Sequence, residues 1–208
     1  MLLKSDTKKN IENVIRVHTE NIKMLLTDDV NMQSNKLVKL IQNNSGFIFC
    51  LGSGTSSILA QKVVHSLNCI EYSSVYLSSS RTLHGGIGCI KEKDLVLFFS
   101  RGGETQELIK AAQILKEKKV ELVVITENED STLASICQEV ILLPKSEEID
   151  RDNLLATGSF VMTCVFMDTT INMLAELSGF NKSSFKKNHP GGFVGLKLNQ
   201  MDEEDKNE

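Results

Sequence analysis

The chain has 208 residues, 41% of them apolar and 24% charged, and a formal net charge of −4. That length is enough for one domain with a substantial core, and the acidic balance provides no basic field for nucleic acid. No run of 18 consecutive apolar residues is present to span a membrane, and the opening "MLLKSDTKKN" turns polar too early for a secretory leader, so a cytoplasmic protein is expected.

The first 45 residues read as helical. Ile11, Val14, Ile15, His18, Ile22, Leu25 and Leu26 recur at three and four and predict one buried helix face. A second helix is expected over about 31–42, with Leu37, Leu40 and Ile41 inward. From residue 46 the pattern becomes strand, polar loop, helix, and repeats. Strands are predicted at 47–51, 74–77, 95–100, 121–126 and 139–143, with helices at about 55–67, 104–118 and 131–138 and a short one within 78–93. Continuous apolar strands alternating with amphipathic helices predict an α/β fold, a five-stranded parallel sheet covered by helices on both faces. After Leu143 a charged loop, "PKSEEIDRDN", leads into a mostly apolar helix over about 156–178, expected to be buried nearly all round. A helix-turn and a glycine-rich arm follow, and residues 201–208 form an acidic tail. The N-terminal helices to residue 45 are read as packing on one domain that runs over 46–200.

Cys50, Cys69, Cys89, Cys137 and Cys164 are odd in number and include no C-x-x-C pair, so they read as small buried hydrophobes in a reducing compartment. No metal site and no cofactor is expected.

"FIFCLGSGTSS" places a glycine- and hydroxyl-rich loop after a strand and before a helix. Gly52-x-Gly54 with Glu71 nineteen residues beyond suggests a dinucleotide fingerprint, but its third position is Ser57. The same device recurs in "LVLFFSRGGET", before a helix whose apolar face holds Leu108, Ala111, Ala112 and Leu115. In a parallel sheet both loops leave at the carboxyl edge, where each helix directs free N–H groups and its positive dipole end. Ser53, Thr55, Ser56, Ser100 and Thr105 add hydroxyls, and Arg101 is the one cation of the two loops. Neutral donors in this number suit a single phosphate monoester. Helix caps and turns use the same residue types, which is the bland alternative.

The strings "GSGTS", "SRGGET" and "NHPGG" in this order, with "LHGGIGCI" and "LLATGSF" between, resemble the sugar isomerase (SIS) domain, and within it the arabinose-5-phosphate isomerase family. The resemblance runs from about residue 10 to residue 199. It implies an aldose–ketose phosphosugar substrate and a homotetramer or homodimer with sites at subunit contacts. Many relatives continue into paired CBS regulatory modules after the "HPGG" segment, so a catalytic domain alone is expected here. Carried over residue by residue, Ser100, Arg101, Gly102, Gly103 and Thr105 from one loop and Ser53, Thr55 and Ser56 from the other bind the phosphate. Glu104, Glu148 and His189 match catalytic residues, and His84 a histidine that reaches the site across a subunit contact. Thr55 stands where many relatives have lysine, and Gly86 where many have an acid.

The residues suit that chemistry. Moving a carbonyl between C1 and C2 needs a base that shuttles one proton through an enediol and a group that polarises the carbonyl. Glu104 stands before a helix, where it reads equally as an ordinary first-turn acid. Glu148 lies among Glu147, Asp150 and Asp152, and the sequence does not say which of them turns inward. His189 precedes a proline, which favours an extended backbone; His18 and His65 read as packing or surface residues. Two other functions fit the loops: a non-catalytic sugar-phosphate sensor, and a 6-phospho-3-hexuloisomerase.

Overall fold

The apolar runs form strands β1 (Ile48–Gly52), β2 (Ser74–Tyr76), β3 (Leu95–Phe99), β4 (Glu121–Thr126) and β5 (Glu139–Leu142) in a computed structural model that describes residues 4–192. All pair in parallel, in the order β2-β1-β3-β4-β5. Between and around them run helices α1 (Lys4–Lys23), α2 (Asp28–Asn43), α3 (Thr55–Cys69), α4 (Ser79–Leu83), α5 (Gln106–Glu117), α6 (Thr132–Ile136), α7 (Gly158–Leu177) and α8 (Lys182–Asn188), with a 3-10 turn at Gly86–Cys89.

Strand alternation divides the core in two. Ile48 and Cys50 of β1, with Leu97 and Phe99 of β3, face α2, α3 and α7. Phe49 and Leu51, with Val96 and Phe98, face α5 and α6. Both faces being covered is why the strands read as unbroken apolar runs rather than alternating ones. Phe98 is fully buried, and burial of one such ring contributes roughly 1.5–3 kcal/mol.

Strand order reverses between β1 and β3, the position at which open parallel sheets bind ligands beyond their carboxyl ends. Gly52 and Phe99 are register partners there, so the two glycine loops leave the sheet side by side.

Three expectations are corrected. In α1 the buried face runs through Val17 and Asn21, while Ile11 and Ile15 are exposed. A polar residue decides this register: buried Asn21 accepts from the Glu147 N–H (3.0 Å) and donates to the Glu147 carbonyl (2.8 Å). Helix α7 is buried along one face only, through Met162, Phe166, Thr170 and Leu174, while Asp168, Thr169 and Asn172 are exposed. By length and composition it is long and apolar enough to cross a membrane; here it packs against α1, α2 and α3. Of the cysteines, all free, Cys50 alone is fully buried and Cys89 is exposed in its surface turn. The glycine-rich arm beyond Gly192 and the acidic tail lie outside the described residues.

Replacing Asn21 by Ala leaves both backbone groups of Glu147 unpaired against α1. Stability should fall by about 2 kcal/mol, lowering the midpoint of thermal unfolding by several degrees, as read by circular dichroism.

Candidate functional site

Two glycines bring the loops to the same point. A side chain at Gly52 would meet the Ser56 carbonyl at 2.4 Å, so the first turn of α3 sits directly on the end of β1. Gly103 has φ +68, and a Cβ there would lie 2.0 Å from Ser131 Oγ, so the second loop presses against the start of α6. That loop is also tied to β4: Thr126 Oγ1 and the Glu127 N–H both donate to the Arg101 carbonyl, at 2.9 and 3.0 Å.

A cleft opens between these loops. Thr55, Ser56, Ser100, Arg101, Glu127 and Ser159 line it, above a floor of Leu59, Phe99, Ile125 and Phe160. An outer lobe, sharing Arg101 and Glu127, adds Gly102, Asn128, Lys145, Ser146 and Asn153.

The helix starts differ in a way that bears on ligands. Helices α2, α4, α6 and α8 are capped by the side chains of Thr27, Ser78, Ser131 and Asn181. Helices α3 and α5, which follow the two loops, have no side-chain cap. The hydroxyls of Thr55 and Ser56 make no hydrogen bond among the described residues. Ser100 Oγ accepts from the Gly103 N–H at 3.2 Å and so keeps its own proton to donate. Open helix starts with free hydroxyls accept an anion.

The start of α7 is already filled by a carboxylate. Glu148, 3% exposed, directs Oε2 at the N–H groups of Thr157 (2.7 Å), Gly158 (2.5 Å) and Ser159 (3.3 Å) and at the Thr157 hydroxyl (3.0 Å). Its other oxygen, Oε1, has no hydrogen-bond donor among the described residues and forms an ion pair with Arg101 Nη1 at 2.9 Å. Burial pushes this carboxyl up, but the hydrogen bonds from Ser159 and Thr157 outweigh it and hold the group below the usual glutamate range. Among the neighbouring acids, Glu147 turns out to Arg16 (3.2 Å) and Asp150 accepts from the Leu154 and Leu155 N–H groups.

Arg101 does not act as a free cation. Nε donates to Glu127 Oε2 (3.1 Å), Nη2 donates to the Ser146 carbonyl (3.2 Å), and Nη1 pairs with Glu148. The guanidinium is shared by two buried carboxylates, and the three groups together carry a net charge of −1. Glu127 is a site residue the sequence reading missed. Its signal was positional, since it directly follows β4 at the carboxyl edge, as Ser53 and Ser100 follow β1 and β3.

Other predicted residues lie outside the cleft. Ser53, Gly103 and Thr105 belong to the loops without lining either lobe. Glu104 is exposed and turned to α6, where it accepts from the Thr132 N–H (2.7 Å) and hydroxyl (2.8 Å); those bonds hold its carboxyl below the usual range. It precedes α5, whose first-turn acid is Glu107. His84 is exposed at the end of α4. His189 stacks on Phe185 (3.9 Å between ring centres), with Nε2 3.4 Å from Cys69 Sγ. Cys69 ends α3, roughly 20 Å along the helix from Thr55, so the chain does not bring its own His189 to the cleft. Glu71 precedes β2, at the opposite edge of the sheet from a ribose-binding acid, which removes the dinucleotide reading.

The lowered carboxyl of Glu148 ties stability to pH. Its ionised form favours the fold fully above the unfolded value of about 4.3, and that contribution is lost as pH falls through the lower folded value. Glu148→Gln should therefore be less stable than the native protein by about 2 kcal/mol at pH 7. Thermal melts at stepwise lower pH should show the gap closing below about pH 4.

Comparisons with known proteins give the family of this fold. The family model of the SIS domain matches residues 40–173. An uncharacterised Chlamydia pneumoniae protein is 35% identical over 167 residues, 80% of this chain and 51% of its own. The arabinose 5-phosphate isomerase KpsF of Escherichia coli O6:H1 is 30% identical over 166 residues, 80% of this chain and 51% of its own. The chain thus spans about half the length of the curated relatives it matches. The crystal structure of a proposed sugar-phosphate isomerase from Listeria monocytogenes, 31% identical, superposes with a TM-score of 0.86 over 92% of this chain and all of that one. With the paired glycine loops at the sheet's switch point and a family match over most of the fold, the chain belongs to the SIS domain family.

Proposed function

We propose that the protein is an aldose–ketose isomerase of phosphorylated sugars, with arabinose 5-phosphate and ribulose 5-phosphate as its leading substrate pair. One observation carries the reading: the uncapped start of α3 opens on the cleft at the switch point, where the Thr55, Ser56 and Ser100 hydroxyls line it together. These neutral donors hold the phosphate monoester. The similarity to the KpsF isomerase supports the choice of pentose phosphate.

Isomerisation requires a base that removes the proton from one carbon and returns it to the next through an enediol, while a second proton passes between the two oxygens. Glu148 fills the base role. It is ionised at neutral pH, and Oε1, paired with Arg101, is its one oxygen without a hydrogen-bond donor among the described residues. Glu104 serves the site from outside the cleft, fixing the Ser100–Thr105 loop to α6 through Thr132. His189 and His84 belong to this site only when a second copy supplies them, and we propose a homotetramer or homodimer that does so. Light scattering should give a mass of two or four chains, and a monomer that isomerises at full rate would remove both histidines from the scheme. Charged sugar phosphates do not cross membranes unaided, and we propose that the reaction takes place in the cytoplasm.

The test is a panel of five- and six-carbon sugar phosphates, including 6-phospho-3-hexulose, assayed for product and for thermal stabilisation. Arabinose 5-phosphate should yield ribulose 5-phosphate. Glu148→Gln should lower kcat by about a thousandfold while stabilisation by the sugar phosphate remains. Ser100→Ala should weaken that stabilisation, raising KM about tenfold. Stabilisation without turnover of any sugar, in the assembled oligomer, would replace the isomerase with a sensing module.

A further inference from the structure

Glu127 has no part in the scheme above, yet it is one of the most constrained carboxylates in the molecule. It is 7% exposed. Oε1 accepts from Ser146 Oγ at 2.7 Å, and Oε2 accepts from the Ser146 N–H at 3.2 Å and from Arg101 Nε at 3.1 Å. With its backbone N–H on the Arg101 carbonyl, it grips Arg101 at both ends. The guanidinium is thereby held by its Nε edge, and Nη1 is the nitrogen that reaches Glu148. The other charged groups nearby face elsewhere: Glu147 pairs with Arg16, Asp150 accepts backbone N–H groups, and Lys145 is exposed in the outer lobe.

We propose that Glu127 is a positioning residue that acts on Glu148 through Arg101, dividing the guanidinium charge so that Oε1 of Glu148 stays basic enough to accept a proton. A carboxylate alone with an arginine is strongly stabilised in its ionised form and is a correspondingly poor base. A second carboxylate on the same guanidinium draws part of that charge away and repels the first, and both effects raise the proton affinity of Glu148. Glu127 in this role also accounts for why the one cation of the glycine loops, although it lines the cleft, is already paired along its Nε edge. The inference rests on Glu148 being the base.

Glu127→Gln keeps the shape and removes the charge. Carbon-13 NMR of carboxyl-labelled glutamate, with the Glu148 signal assigned by its loss in Glu148→Gln, follows the ionisation directly. The Glu148 midpoint should fall by about one pH unit, or out of the low end of the range in which the fold persists. In turnover, kcat should fall three- to tenfold with KM within about twofold, and the acid limb of the kcat profile should move to lower pH in parallel. Glu127→Asp, which keeps the charge but draws it back from Arg101, should shift the midpoint in the same direction by less. A Glu148 midpoint unmoved in a folded Glu127→Gln overturns the proposal and leaves Glu127 as a loop staple. Should that variant fail to fold, an unmoved midpoint in Glu127→Asp does the same. Absence of turnover in the native protein would defeat the isomerase reading alone, since the NMR titration judges the coupling of Glu127 to Glu148 without it.

Discussion

The guanidinium of Arg101, caught between Glu127 and Glu148, is the contact on which the carboxyl edge of the sheet depends. It joins three segments: the loop after β3 that carries Arg101, the end of β4 with Glu127, and the loop between β5 and α7 with Ser146 and Glu148. Charges removed from water are tolerated only when paired and hydrogen-bonded, and here every member of the cluster is paired. Through Glu148 the constraint reaches α7, whose first N–H groups close on that carboxylate. Since Ser159 and Phe160 of that helix line the cleft, the cleft takes its shape from an ion cluster whose positive charge is already paired.

The electrostatics of the site follow from this. Three helix starts point toward one rim. One is satisfied internally by Glu148, and two are left uncapped beside hydroxyls with protons to give. In the inner lobe an anion would therefore be met by dipoles and neutral donors, beside a guanidinium that is already paired. Thr55, a neutral hydroxyl at the start of α3, is in keeping with that arrangement.

Much of the fold was legible in the residues. Unbroken apolar runs announced strands buried on both faces, and the glycine-rich breaks marked where each strand ends. The face of α5 through Leu108, Ala111, Ala112 and Leu115 is buried as periodicity indicated. Periodicity misled where a polar residue decides the register. In α1, Asn21 outweighs Ile11 and Ile15, because two buried backbone groups of Glu147 need partners while an exposed isoleucine costs little. In α7, composition suggested burial on all sides, whereas the polar residues 168, 169 and 172 share an outward face.

By itself the sequence determined the parallel sheet, the order of its elements and the meeting of two glycine-rich loops at one edge. Those follow from local rules: apolar periodicity, turn chemistry and the short reach of the chain between strand and helix. Only the tertiary structure decided that Glu148 rather than Glu147 turns inward, that Arg101 is neutralised, that Glu127 belongs to the site, and that His189 lies at the far end of α3. The Arg101 contacts join residues 26 and 45 positions apart. A charged side chain takes its role from whichever partners the fold brings within about 3 Å, and nothing in the neighbouring sequence records those partners.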